Sequence, residues 1–303
     1  MAKKRSIINQ FSDLLVYVLV IIIGFSARHI PLRMALNMGS AIGNLVYAVV
    51  KKRRRITLSN LRMVFKDKGD EELLTIARQN FQNMGKNLIE LLCFPKYNVS
   101  QIMSMVRLEG EESLRQAISS DKGVVVITAH FGNWELIFHV LAGMTDKLSA
   151  VAQQFKNQGL DRLTNRYRII HGGEIIEKKL ATKQMLVHLR KGFCVVILND
   201  QDAGDNGIFI DFLGATASTA KGAVTFAMRT GATILNVFDV RQSDDSHVIK
   251  ISEPMKIESS GNLQTDVRNG VIGITKALEQ MIYEYPSQWL WMHNRWKTKP
   301  PIE

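Results

Sequence analysis

The residues of this 303-residue chain with the most chemical potential lie in one stretch, Val124-Val125-Val126-Ile127-Thr128-Ala129-His130-Phe131-Gly132-Asn133-Trp134-Glu135. An imidazole can take and return a proton near neutral pH. A carboxylate on its far nitrogen fixes the tautomer and stabilises the cation. The β-branched run 124–128, bounded by Gly123, has the pattern of a buried strand. A turn-permissive Gly132-Asn133 pair follows, then helical spacing through Leu136, Ile137 and Val140. His130 therefore sits where a strand gives way to a helix, with Glu135 about one turn inside that helix. Five residues across such a turn can return the carboxylate to the imidazole. That is the arrangement of a general base with no protein nucleophile of its own. Read as packing, the same residues are a core histidine and an aromatic strand cap.

Two polar groups lie downstream. Arg162 and Arg166 share one helix face and Arg168 lies on another. Taken alone they form a solvated basic face. The run 195–198 leads into Asn199-Asp200-Gln201-Asp202. Acids at the carboxyl end of a strand stand where open α/β sheets bind ligands, or else build an Asx turn. The aromatic-basic run 289–297 suits core packing, an interfacial belt or a stacking platform.

The His-x4-acid spacing after a strand resembles the glycerolipid and lysophospholipid acyltransferase superfamily. Ala129-His130-Phe131-Gly132-Asn133-Trp134-Glu135, with Glu as the acid, is similar to one branch, the bacterial late acyltransferases of lipid A synthesis (lauroyl or myristoyl transferases). Arg55-x3-Ser59-Asn60-Leu61-Arg62, Phe81-x-Asn83-x-Gly85, residues 212–219 and Arg229-Thr230-Gly231-Ala232 also resemble that branch. The resemblance implies a catalytic pair of His130 and Glu135. It implies substrate contacts from the Arg-x-Arg pair Arg166 and Arg168 and from Asp200, with Asp202 as a second acid. Arginine suits phosphate because its planar fork binds in two places. The implied partners are an acyl carrier protein as donor, a lipid A precursor glycolipid as acceptor, and membrane phospholipids. No cofactor, metal or nucleic acid is implied. Backbone N–H groups of Gly132 and Asn133, at a helix start, are expected to meet an oxyanion. An alternative enzyme acylates another glycolipid or glycerolipid from acyl-CoA. A membrane-bound nucleic-acid-binding protein would use positive charge alone, with no need of His130.

Composition bounds these readings. The net charge is +11 and the pI about 9.6, which suits an anionic partner such as a membrane surface or an acidic protein. Cys93 and Cys194 lie in apolar contexts and form no metal or disulfide framework, and the seven histidines are scattered.

At the start of the chain, a basic segment (Lys3, Lys4, Arg5) precedes an apolar run at 14–27. Fourteen residues of helix reach ~21 Å, short of a ~30 Å hydrocarbon core. Signal peptide, anchor and buried helix all fit its length, but Phe25-Ser26-Ala27-Arg28-His29 is a poor cleavage site. A second apolar run at 34–50 carries Asn37, Ser40 and Asn44, and Lys51-Lys52-Arg53-Arg54-Arg55 follows it directly. Basic residues mark the cytoplasmic side. The expected location is thus the bacterial inner membrane with the catalytic part on the cytoplasmic side. The expected division is an anchor with its basic flank over 1–55 and a catalytic domain over 56–303.

Residues 56–94 read as helices, with an acidic first turn at Asp70-Glu71-Glu72. Strands are expected at 124–128, 149–153, 194–198, 233–238 and 248–251. Helices are expected at 134–142, 160–170, 181–191, 217–229 and 263–283, the 217–229 helix capped by Ser218 or Thr219. This alternation predicts an α/β fold, a largely parallel central sheet flanked by helices, preceded by an apolar membrane-anchoring helix.

Overall fold

The computed structural model describes residues 7–120, 122–177 and 181–301. The basic start at Lys3, Lys4 and Arg5 lies outside these. The described chain opens with three helices, α1 (Ile7–Arg28), α2 (Leu32–Val49) and α3 (Lys51–Val64). Pro31, extended at ψ 143°, separates the first two. The helix α1 is longer than the apolar run predicts, because Ser12 and Asp13 continue it. Its 19 residues Gln10–Arg28, with mean hydropathy 1.9, are long and apolar enough to cross a membrane.

The helix α4 (Asp70–Cys93) starts on its three acidic residues, as expected from the helix dipole. Gly39 and Gly43 of α2 meet Gly85 of α4 so closely that a Cβ at Gly85 would overlap the Gly39 carbonyl oxygen. Only backbone fits at this crossing. The second apolar run is therefore a helix packed on protein. Two shorter helices follow α4 in the chain, α5 (Val99–Ser104) and α6 (Glu111–Ser119).

Seven strands form the main sheet: β1 (Val106–Glu109), β2 (Val124–Thr128), β3 (Leu148–Ala152), β4 (Glu174–Glu177), β5 (Cys194–Leu198), β8 (Thr233–Arg241) and β9 (His247–Ile251). Their spatial order is β1-β9-β8-β2-β5-β3-β4, and every pairing is parallel except β8 with β9. The central strand β2 is buried throughout. Alternate side chains serve its two faces. Val124 and Val126 pack with Leu136, Ile137 and Val140 of α7 (Trp134–Ala142). Val125 and Ile127 join the opposite core with α9 (Ala181–Arg190), α10 (Gly222–Thr230) and α11 (Leu263–Glu284). The helix α8 (Gln158–Arg168) links β3 to β4.

The structure departs from expectation at residues 208–219. These form a hairpin, β6 (Ile208–Phe212) and β7 (Ala215–Thr219), and the helix expected from 217 begins only at Gly222. Leu213 and Gly214 both take positive φ (53° and 77°), which permits a two-residue turn of the twist that hairpins favour. A Leu-Gly pair is a weak turn signal, so the sequence pattern does not announce the hairpin. Ser218 and Thr219 are strand residues that accept hydrogen bonds from Arg295, rather than helix caps. The edge strands β1 and β4 also lie outside the expected set; with four residues each they are too short to show a clear alternation.

Candidate active site

The register of the sheet brings two distant side chains together. Thr128 of β2 pairs in parallel with Leu198 of β5. His130 and Asp200, each two residues further on, leave adjacent strands side by side at the carboxyl edge, the usual ligand edge of such sheets. Asp200 Oδ1 lies 2.8 Å from His130 Nδ1. Its Oδ2 accepts the His130 backbone N–H at 3.1 Å and the Trp289 indole N–H at 3.0 Å. Burial opposes ionisation of Asp200, but the neighbouring imidazole and these donors outweigh it and hold the carboxyl below its ordinary range. A carboxylate only accepts hydrogen bonds, so Nδ1 carries a proton, and in the neutral ring Nε2 holds the lone pair. The Gln201 amide nitrogen lies 3.4 Å from Nε2, and the Trp134 ring stands edge-on to the imidazole at 5.0 Å. The His130 side chain is 21% exposed, so the lone pair can be reached.

Glu135 does not return to this imidazole. Arg168 grips it in a fork, Nε to Oε2 at 2.8 Å and a terminal nitrogen to Oε1 at 2.6 Å, and the Trp134 indole donates to Oε1 at 3.1 Å. The reason is packing. The first turn of α7 turns Glu135 toward α8, where a nearly buried carboxylate needs a cation. Burial disfavours the Arg168 charge, but Glu135 more than offsets it and raises the guanidinium pKa.

Arg166 is exposed two residues earlier and has no ion-pair partner among the described residues, and Arg162 is likewise exposed. The expected arginine pair is therefore split, one member on Glu135 and the other facing solvent. Asp202 accepts the Thr298 hydroxyl at 2.8 Å, and its N–H donates to His293 Nε2 at 3.1 Å.

The two backbone N–H groups expected to meet an oxyanion are already engaged. Gly132 N–H donates to the Gln288 carbonyl at 3.0 Å and Asn133 N–H to Asp239 Oδ2 at 2.6 Å. Gly132 has φ 53°, and a Cβ there would overlap the Asp239 carbonyl oxygen. Behind this turn lies a buried network. Arg241 and His247 both bond Glu90, His247 Nδ1 bonds Asp239 at 2.9 Å, and Asn133 donates to Glu90 at 2.8 Å. Burial works against charging His247, but Asp239 and Glu90 together outweigh it and raise its pKa to about 10.

Residues missed in the sequence fasten this site from outside. Asn80, Asn83, Asn87 and Glu90 recur along one face of α4. The first two bond the carbonyls of Ser287 and Trp289, and Asn87 bonds the carbonyl of Gly132. That polar stripe, which recurs at helical spacing among the apolar positions Leu73, Ile76, Phe81 and Leu91, is the signal the sequence offers. The terminal segment closes over the histidine, with Leu290 N–H donating to the His130 carbonyl at 2.9 Å.

The fold and site define an α/β protein with a partly exposed histidine, oriented by a buried carboxylate at the carboxyl edge of a parallel sheet. The model of the family described as bacterial lipid A biosynthesis acyltransferase matches residues 4–298. The chain belongs to that family and is an acyltransferase. It is 28% identical over 265 residues to the lipid A biosynthesis palmitoleoyltransferase of Escherichia coli strain K12, covering 87% of this chain and 85% of that protein. It is 25% identical over 273 residues to the lipid A biosynthesis lauroyltransferase of the same strain, covering 89% and 88%. It is also similar to the phosphatidylinositol mannoside acyltransferase of Mycolicibacterium smegmatis, 23% identical over 61% of this chain and 60% of that one.

Proposed function

We propose that the protein moves a fatty acyl chain from acyl carrier protein to a hydroxyl of a lipid A precursor, with His130 as general base. The observation that carries this is the Asp200–His130 hydrogen bond, which leaves Nε2 as an accessible lone pair. His130 Nε2 takes the acceptor hydroxyl proton as that oxygen attacks the thioester carbon. The tetrahedral intermediate collapses, and the imidazolium returns the proton to the departing thiolate. The products are an ester and a free carrier thiol. Asp200 holds the tautomer and balances the imidazolium. The Gln201 amide is a donor placed beside the same nitrogen. In this reading Glu135 acts by fixing Arg168, whose remaining N–H groups help to place the acceptor, while the exposed guanidinium of Arg166 presents charge to acceptor phosphates.

The assignment of residues 1–55 to membrane attachment and 56–303 to catalysis rests on the apolar α1 and the basic residues of α3. The same features support an inner-membrane location with catalysis on the cytoplasmic side. The test is transfer of labelled acyl chain to a lipid A precursor, run with acyl carrier protein and acyl-CoA as alternative donors. Activity with acyl-CoA alone would remove the carrier protein. Undiminished transfer by folded His130→Ala protein would remove the base.

A further inference from the structure

The helix α1 has two distinct faces along its length. One is docked on the body. The Asn157 amide donates to the Asp13 carbonyl at 2.7 Å, and the Tyr17 ring lies over Gly159. Gly24 sits against Leu92, and Arg28 donates to the Leu92 carbonyl at 3.1 Å and to the Tyr167 hydroxyl at 3.0 Å. These contacts cover ~22 Å of helix at the standard rise. The other face exposes Phe11, Leu15, Val18, Leu19, Ile22 and Phe25.

The docked face decides how α1 can meet a bilayer. The helix α8 runs beside it, with Gly159 at the level of Tyr17 and Tyr167 at the level of Arg28. The exposed Arg162 and Arg166 fall between those levels. The irregular segment 153–157, with exposed Gln153, Gln154 and Lys156, is tied to the level of Asp13. If α1 crossed the bilayer in this pose, both arginines and that segment would lie within the hydrocarbon. Lipid-exposed irregular backbone does not occur there, and charges there are costly.

We infer that α1 lies along the surface of one leaflet instead of spanning the membrane, its outward stripe sunk into the acyl boundary. This rests on the membrane attachment read above. The occupant of this face is an anionic lipid leaflet. The helix α2, packed beside α1, adds exposed Met34, Leu45 and Val49, and the exposed cations Lys51, Lys52, Arg53 and Arg55 follow directly. An apolar stripe flanked by basic residues is the composition of an interfacial helix on anionic lipid. Both ends of α1 then lie on one side of the membrane. Arg162 and Arg166 stand at headgroup depth, and an amphiphilic acceptor reaches the site laterally, without leaving its leaflet.

The test places single cysteines in the full-length chain at Ser6, just ahead of α1, and at exposed Ser59 on α3. The native Cys93 and Cys194 are buried. A membrane-impermeant maleimide is applied to right-side-out and to inverted vesicles. Reaction of both positions from the same side is the expected result. Reaction of Ser6→Cys and Ser59→Cys from opposite sides means that α1 spans, and overturns the proposal. Recovery of the protein in the soluble fraction instead removes the attachment reading beneath it. As a second measurement, Leu15→Glu with Ile22→Glu alters only the outward face. The bound share on vesicles containing phosphatidylglycerol should fall at least ~10-fold with an unchanged melting temperature. Unchanged binding by that variant also overturns the proposal.

Discussion

Asp200 Oδ1 stands 2.8 Å from His130 Nδ1, and 70 residues of chain separate the two. The bond exists because β2 and β5 are neighbours in register, and it dictates which imidazole nitrogen is free to act. The functional reading turns on it, and so does the first prediction.

Asp200→Asn keeps the shape but replaces an acceptor with an amide that can donate to Nδ1. The proton then moves to Nε2 and the base is lost. Transfer should fall by roughly 10²–10⁴-fold at neutral pH, as for His130→Ala, with the double variant little worse than either single. Steady-state rates with thermal melts on each variant check this.

Glu135 and Arg168 should behave as a separate unit. Removing either leaves a nearly buried charge without its partner, a loss on the order of 3–5 kcal/mol for such pairs, less where solvent still reaches them. A double-mutant cycle on unfolding free energy should show strong coupling between Glu135 and Arg168, and little between His130 and Glu135. Strong coupling in the second pair would contradict the geometry.

Trp289→Phe deletes one of the N–H donors on Asp200. The carboxylate then becomes more basic and holds the imidazolium more tightly. The acid limb of the rate profile should move to higher pH. A purely packing role for Trp289 would lower the melting temperature and leave that limb in place.

Gly132→Ala should be disabling. Its Cβ meets the Asp239 carbonyl oxygen at a positive φ that L residues rarely adopt. The turn carrying His130 must shift, so transfer should drop by ~10-fold or more, with weaker folding. Activity assays and melts of the variant decide it.

Stability should peak near neutrality. In the folded chain His247 stays charged up to about pH 10, facing Asp239, Glu90 and Arg241. Unfolded, it loses its proton near ~6.5. The fold therefore binds the extra proton between those values, and stability falls as pH rises through that window. His139, buried against Phe94 and His171, has the opposite sign. Burial, with His171, lowers its pKa to about 3, so the unfolded chain takes the proton first and stability falls as pH drops below ~6.5. Melting temperatures across pH should decline on both sides, and His247→Gln should flatten the alkaline limb. A melting temperature that rises between pH 7 and 9 would contradict this.

Periodicity and local chemistry in the sequence were enough to locate β2, α7 and β5, the alternation of layers, and His130 at a strand end. These are short-range properties, set by side-chain spacing over a few residues. The choice between Glu135 and Asp200 as the imidazole's partner was not local. It depended on β5 lying beside β2, and strand order comes from how the crossovers pack. The same holds for Asn80 and Asn83 of α4, whose partners are carbonyls of the terminal segment more than 200 residues away, for Asn87, which reaches the Gly132 carbonyl, and for the hairpin at Leu213-Gly214, whose turn dihedrals the Leu-Gly pair announces only weakly. Hydrophobicity marked α1 as apolar all round. Which side of it meets protein and which is left for lipid was settled only when α4 and α8 packed against it.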